Sequence, residues 1–77
     1  MNITVYTTST CPYCVMVKEF LDEHKIPYAE KNVQEDRKAA EEMIKKSGQM
    51  GVPVTDIDGQ LIIGFDKEAL KRALHVK

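Results

Sequence analysis

The apolar residues of the first third of the chain change from an alternating to a helical spacing. Asn2 to Thr7 alternates around Ile3 and Val5 among β-branched neighbours, which predicts a strand. Thr8 to Cys11 is then a loop. Pro12 suits the first turn of a helix, where its missing N–H would have no partner, and apolar positions recur at helical spacing as far as His24. The pattern predicts a helix from Pro12 to His24.

The remaining segments predict five more elements. Pro27 to Val33 is a strand candidate, and Glu35 to Ser47 has an apolar stripe, two lysines in its last turn and Gly48 as its stop, which predicts a helix. Val52 to Ile57 and Gln60 to Gly64 flank Asp58-Gly59, a dipeptide that favours a type I′ hairpin turn. Asp66 is placed to cap a last helix, whose apolar stripe is Ala69, Leu70, Ala73 and Leu74.

The element order is therefore β-α-β-α-β-β-α. A helix that joins the first two strands implies a parallel pair with a right-handed crossover, whereas the hairpin makes the last two strands antiparallel. We expect an α/β fold with a four-stranded mixed sheet and helices on both faces. Residues 1–77 form one domain in this interpretation, because a chain of this size buries only about 60% of its unfolded surface and does not divide further.

Charge and hydropathy exclude several classes of function. The chain has 11 Lys and Arg against 12 Asp and Glu, a net charge of -1, and no basic run longer than Lys45-Lys46, so nucleic-acid binding is not expected. Its longest apolar runs, such as Leu61 to Ile63, are far shorter than the roughly 20 residues that span a bilayer, and no targeting segment is visible at the N-terminus. We expect a cytoplasmic, monomeric protein with no membrane partner.

The two cysteines, Cys11 and Cys14, point to thiol chemistry. Secreted scaffolds of this size carry more cysteines at wider spacings, since a disulfide between positions three apart closes almost no loop. With Pro12 first in the helix, Cys11 takes the cap position and its sulfur faces the unpaired N–H groups of Tyr13 and Cys14, which favours the thiolate. Cys14 lies one turn deeper on the same face, so it can resolve a mixed disulfide formed by Cys11.

Metal binding is the alternative for this pair. A structural zinc needs four ligands, and the other soft or nitrogen donors are only His24 and His75. An iron-sulfur cluster shared between two chains would need fewer ligands from each chain and stays open.

Three motifs resemble the glutaredoxins. They are Cys11-Pro12-Tyr13-Cys14 after a first strand, Val52-Pro53 ahead of a hairpin and Gly64-Phe65-Asp66 ahead of a last helix, so the resemblance covers essentially the whole chain. It implies the minimal thioredoxin fold and thiol-disulfide exchange, with Cys11 attacking and Cys14 resolving. The expected partners are disulfide-containing proteins, no cofactor is tightly bound, and glutathione is a possible co-substrate.

The resemblance also implies a glutathione groove. A cis bond before Pro53 would turn the backbone of Val52 outward beside the cysteines, where an extended substrate backbone can pair with it. N–H groups around Phe65 and Asp66 would seat the γ-glutamyl carboxylate. The full set of expected contacts is Tyr13, Gln49, Val52, Pro53, Gly64, Phe65 and Asp66, with Gln49 on the glycine carboxylate.

Three positions depart from the family pattern. Thr8 stands where glutaredoxins commonly have a lysine, Gly51 where they have threonine, and Ile63-Gly64 where they have a glycine pair. Two electron sources therefore remain as alternatives within the same chemistry. One is glutathione; the other is a thioredoxin reductase, as for the redoxin that donates electrons to ribonucleotide reductase.

Overall fold

A computed structural model describes residues 2–76 of the chain. Its elements follow the predicted order: they are β1 (Ile3–Thr7), α1 (Pro12–Glu23), β2 (Ala29–Asn32), α2 (Arg37–Ser47), β3 (Val54–Ile57), β4 (Gln60–Ile63) and α3 (Lys67–Leu74). Within residues 2–76, no helix is both long and apolar enough to cross a membrane.

The four strands form one mixed sheet in the order β2-β1-β3-β4. β1 is parallel to β2 and antiparallel to β3, and β3 is antiparallel to β4. This confirms the predicted topology. Because Tyr6 of β1 and Ile63 of β4 both lie opposite Val54, the end of β1, the start of β3 and the end of β4 meet at one edge of the sheet. The loops that carry the three motifs leave from this edge.

Two apolar clusters hold helices on the two faces of the sheet. On one face α1 and α3 pack against alternate residues of the strands, among them Ile3, Val5, Ile57 and Ile62. On the other face α2 packs through Ala39 and Met43 against Tyr6 and Val54. The alternation of strand side chains between faces produces this division, and the prediction of helices on both faces is confirmed.

Polar groups attach α2 to the sheet beside its apolar contacts. The hydroxyl of the buried Tyr6 donates to Glu42 and accepts from Lys46 at 3.2 Å. Lys46 also bonds to Asp56 of β3 at 2.8 Å, and Lys31 of β2 bonds to Glu42 at 3.1 Å. These contacts connect β1, β2 and β3 to Glu42 and Lys46, which lie one turn apart on the same face of α2.

Several predicted boundaries were too wide. β2 begins at Ala29 rather than Pro27 and ends before Val33, because it is an edge strand with only β1 to pair with. α2 begins at Arg37, since Asp36 is its cap and accepts from the N–H groups of Lys38 and Ala39. β3 begins at Val54, as Val52 and Pro53 precede the ladder.

The ends of the other elements differ by one residue or agree. α1 ends at Glu23 with His24 as its cap, and β4 ends at Ile63, before Gly64. In the hairpin turn, Asp58 and Gly59 have φ values of 50° and 93°. Positive φ at both central residues is what a type I′ turn requires, so that prediction is confirmed.

Candidate active site

Cys11 is the cap residue of α1. Its backbone is extended, with φ -106° and ψ 108°, and Pro12 follows at the start of the helix. The Cys11 sulfur accepts a hydrogen bond from the backbone N–H of Cys14 at 3.2 Å. The sulfur thus occupies the place of a capping oxygen at the positive end of the helix, as the sequence predicted. Because Cys11 is half-exposed, a disulfide substrate can reach it.

Cys14 lies beneath Cys11 in the core, with 1% of its surface exposed. The pKa of Cys14 is raised to about 11, first by burial and then by the hydrogen bond and the charge of Cys11; a backbone hydrogen bond from Thr8 and the charge of Lys18 oppose this rise. Cys14 is therefore a protonated thiol at neutral pH as long as Cys11 is reduced and not bound in a disulfide. The two cysteines thus have different environments: the Cys11 sulfur is accessible and capped, and the Cys14 sulfur is buried and protonated.

Lys18 is the functional candidate that the sequence interpretation did not select. It follows Cys14 by four residues on α1, and its positive charge is the smallest of the contributions to the pKa of Cys14, opposing the rise that burial causes. Lys18 pairs with Glu30 of β2 at 3.0 Å, and Glu30 also accepts from the hydroxyl of Thr7 at 3.0 Å. The i, i+4 spacing from a cysteine was the available signal.

The backbone of the second and third motifs meets at the sheet edge described above. The peptide bond between Val52 and Pro53 is cis, as the resemblance implied, and Pro53 is buried. The N–H of Gly64 donates to the carbonyl of Pro53 at 2.8 Å, which continues the β3–β4 pairing by one bond. Val52, Pro53 and Gly64 therefore lie together at the edge where β1 leads into the Cys11 loop.

The aromatic residues expected in the groove have different environments. Tyr13, between the cysteines, is 59% exposed. Phe65 is half-buried and packs against the cluster that α1 and α3 share. Tyr13 is thus available to a ligand, while Phe65 also contributes to the core.

The side chains of Gln49 and Asp66 bond to their own loops. Asp66 accepts from the N–H of Ala69 at 3.1 Å and so caps α3, as predicted. The Gln49 amide donates to the carbonyl of Gly51 at 3.0 Å and accepts from the Gly51 N–H at 2.6 Å. The sequence predicted that Gln49 binds a ligand carboxylate, and it did not predict the hydrogen-bonded ring that the Gln49 amide forms with the backbone of Gly51.

The histidines considered as metal ligands cap helices. Nδ1 of His24 lies 2.9 Å from the carbonyl of Phe20, and His75 ends α3 in the left-handed conformation. Within residues 2–76, no three His, Cys, Asp or Glu side chains come close enough together to hold a metal ion. An iron-sulfur cluster shared between two chains stays an alternative.

Comparison with known proteins gives the same family from sequence and from structure. The glutaredoxin family model matches residues 3–62. A glutaredoxin-like 8.6 kDa protein of Clostridium pasteurianum is 43% identical over 72 residues, which cover 94% of this chain and 96% of that protein. The glutaredoxin-like protein NrdH of Lactococcus lactis is 34% identical over 70 residues, 91% of this chain and 96% of that protein.

A solved structure has the same architecture over the full length. A mutant of the thioredoxin-like protein BC3987 matches 99% of this chain and 97% of its own, with a TM-score of 0.94 and 34% identity. A family model that covers most of the chain, together with the capped cysteine pair, identifies a thiol redox protein. The chain belongs to the glutaredoxin family.

Proposed function

We propose that this protein is a dithiol-disulfide oxidoreductase that reduces disulfides of proteins or of glutathione through Cys11 and Cys14. The observation that carries the proposal is the half-exposed Cys11 sulfur, hydrogen-bonded to the Cys14 N–H at 3.2 Å above a buried Cys14 thiol. An accessible sulfur at the start of a helix is placed to attack a substrate disulfide. A second thiol one turn deeper can reach the same sulfur afterwards.

Two exchange steps follow from this geometry. The Cys11 thiolate attacks one sulfur of the substrate disulfide, which forms a Cys11-substrate disulfide and releases the other half as a thiolate. Cys14 then loses its proton and attacks the Cys11 sulfur. The products are the Cys11-Cys14 disulfide and a fully reduced substrate, and the two electrons have moved from the protein to the substrate.

The pKa of Cys14 makes the second step depend on the first. A hydrogen bond and the charge of Cys11 both raise the pKa of Cys14. Once Cys11 is bound in a mixed disulfide it carries no charge, so these two contributions disappear and only burial still raises the pKa of Cys14. The pKa of Cys14 therefore falls when Cys11 enters a mixed disulfide, which favours the resolving step at the point where a disulfide is present to attack.

Single cysteine variants test this assignment. Cys11→Ser is expected to lose all exchange, because serine is not a nucleophile toward disulfides. In Cys14→Ser, Cys11 is expected to attack once, and a Cys11-substrate disulfide should accumulate, which mass spectrometry of acid-quenched samples detects. If glutathione is used, this variant is expected to keep its activity on glutathione mixed disulfides. An active Cys11→Ser variant would contradict the order of attack.

A second candidate differs in the electron source. In it, a thioredoxin reductase reduces the oxidised protein, which then donates electrons to ribonucleotide reductase. The closed amide of Gln49 and the uncharged Thr8 favour this candidate, because Gln49 was expected to bind a glutathione carboxylate and Thr8 replaces the lysine that glutaredoxins commonly have. The similarity to a protein named NrdH agrees with it.

The two candidates separate in one coupled assay. NADPH consumption with a small disulfide is compared between glutathione plus glutathione reductase and thioredoxin reductase alone. Turnover only with the first system supports the glutathione-dependent function, and turnover only with the second supports the alternative. Either activity requires reduced thiols, so we propose a reducing compartment, the cytoplasm, as its location.

A further inference from the structure

A small hydrogen-bonded ring closes the loop between α2 and β3. The Gln49 side chain reaches forward two residues, and its amide both donates to and accepts from the backbone of Gly51, at 3.0 Å and 2.6 Å. Ser47 lies behind the ring: its hydroxyl oxygen is 2.7 Å from the carbonyl oxygen of Met43 and 3.0 Å from that of Gln49, so its single hydrogen can be donated to either. The Gln49 nitrogen also lies 3.5 Å from the Ser47 oxygen.

The ring depends on the absence of a side chain at position 51. A Cβ added to Gly51 would lie 2.7 Å from Oε1 of Gln49, closer than two such atoms approach, while no backbone atom obstructs it. Positive φ values occur at Gly48, Gly59 and Gly64 but not at Gly51. The backbone φ at position 51 thus does not favour glycine, and the obstacle to a larger residue there is the end of the Gln49 side chain.

The ring determines which polar groups the loop offers to a ligand. An amide nitrogen has two hydrogens; one is donated to Gly51 and the other faces Ser47. The oxygen is occupied by the Gly51 N–H. The loop leads directly into Val52 and Pro53 at the active-site edge, so an amide released from the ring would be a donor next to the place where substrate arrives.

We propose that Gly51 is a specificity-determining residue: by letting Gln49 close on the backbone, it withholds a donor from carboxylate-bearing disulfides such as glutathione disulfide. This inference rests on the proposed function and adds a reason for a substrate preference. Substitution of Gly51 by alanine displaces the flexible end of Gln49 rather than the backbone, and returns the amide to solvent and to a ligand.

The test is a double-mutant cycle on Gly51→Ala and Gln49→Ala. Each reduced protein is mixed with excess disulfide, quenched with acid and alkylated, and the loss of the Cys11-Cys14 dithiol is followed by mass spectrometry. This single-turnover reaction requires no reductase. The measured quantity is the rate constant with glutathione disulfide divided by the rate constant with 2-hydroxyethyl disulfide, which has no carboxylate.

Gly51→Ala is expected to raise this ratio about fivefold, which corresponds to about 1 kcal/mol for one amide-carboxylate hydrogen bond. In the Gln49→Ala background the same substitution is expected to change the ratio by less than about twofold, because no amide is left to release. A Gly51→Ala ratio equal to that of the wild type, or an increase that persists without Gln49, overturns the proposal.

Two controls keep the outcomes distinct. Amide hydrogen exchange at residue 51 reports the ring directly: exchange is expected to be slower in the wild type than in Gln49→Ala. Equal exchange rates would overturn the ring itself, even if Gly51→Ala failed to fold. If the wild type reacted with neither glutathione disulfide nor 2-hydroxyethyl disulfide, the proposed function would be refuted instead. Reaction with both disulfides and an unchanged ratio would refute only the role of Gly51.

Discussion

Two buried threonines of the sheet should respond with opposite signs to the same substitution. Thr7 and Thr55 are both 0% exposed. The hydroxyl of Thr7 donates to Glu30 at 3.0 Å, whereas the hydroxyl of Thr55 has no hydrogen-bond partner among the described residues. Valine replaces the hydroxyl with a methyl group and keeps the β-branched shape, so strand propensity hardly changes. Thr7→Val and Thr55→Val are therefore matched controls for each other.

The expected magnitudes follow from the surroundings of each hydroxyl. Thr55 lies between Val5 and Ile62 on the neighbouring strands. A buried hydroxyl without a partner costs about 1–3 kcal/mol, and its replacement removes that cost. We therefore expect Thr55→Val to raise the free energy of unfolding by about 1–2 kcal/mol. Thr7→Val loses a hydrogen bond, but Glu30 is 42% exposed and can bind water instead, so we expect a loss of about 1 kcal/mol.

Urea denaturation at neutral pH measures both changes, and thermal unfolding gives an independent value. For a domain of this size, 1 kcal/mol corresponds to a shift in Tm of about 4–8 °C. The two variants should therefore lie on opposite sides of the wild type. If Thr55→Val is destabilised as much as Thr7→Val, the Thr55 hydroxyl has a partner in solution and the reasoning from its burial is wrong.

Cys14, Glu42 and Gly48 each allow a further test. The Cβ chemical shift of Cys14, followed by NMR, should titrate with a pKa of about 11, and in Cys11→Ala this titration should move to lower pH, because the hydrogen bond and charge of Cys11 add to the effect of burial. The pKa of Glu42 is lowered to about 2, first by the hydrogen bond from Tyr6. The ionised Glu42 therefore stabilises the fold at pH values above its unfolded-state pKa of about 4.3, and this stabilisation is lost as the pH falls toward 2. Between about pH 5 and 2.5, urea denaturation should show a smaller loss of stability for Glu42→Gln than for the wild type. Gly48 has φ 74° at the end of α2, and Gly48→Ala should cost about 1 kcal/mol by the same measurement.

The parts of the fold that local chemistry determines could be predicted from the sequence. Asp58-Gly59 allows positive φ at two successive residues, and the structure has that turn. Asp66 and Cys11 precede helices at cap positions and accept N–H bonds there. In these cases the residue that determines the structure lies within three positions of the group that it contacts. The sequence therefore contains both partners in one short window.

The parts that depend on distant partners could not be predicted. The sequence predicted a β2 that is too long at both ends, because the length of this strand is determined by its pairing with β1 and not by its own polar residues. The hydrogen bonds of Tyr6 to Glu42 and Lys46 join residues 36 and 40 positions apart, and no spacing rule relates such residues. The ring of Gln49 and Gly51 was local, but the usual side-chain turns use shorter residues. The one observation that points to the ring is a glycine at position 51 that does not have a positive φ, and φ values are known only from a structure.

The proposed exchange chemistry and the proposed choice of substrate depend on separate parts of this chain. Residues 11–14 form the reacting pair within a single helix start, so the cap geometry of Cys11 and Cys14 depends on no distant loop. Apart from Tyr13, the residues expected to meet a substrate lie in the loops before β3 and after β4, which the bond from Gly64 to Pro53 joins. Because β3 lies between β1 and β4 in the sheet, it brings those loops to the edge where Cys11 lies. Substitutions in the loops can therefore alter the substrate preference while the two thiols and their order of reaction stay the same.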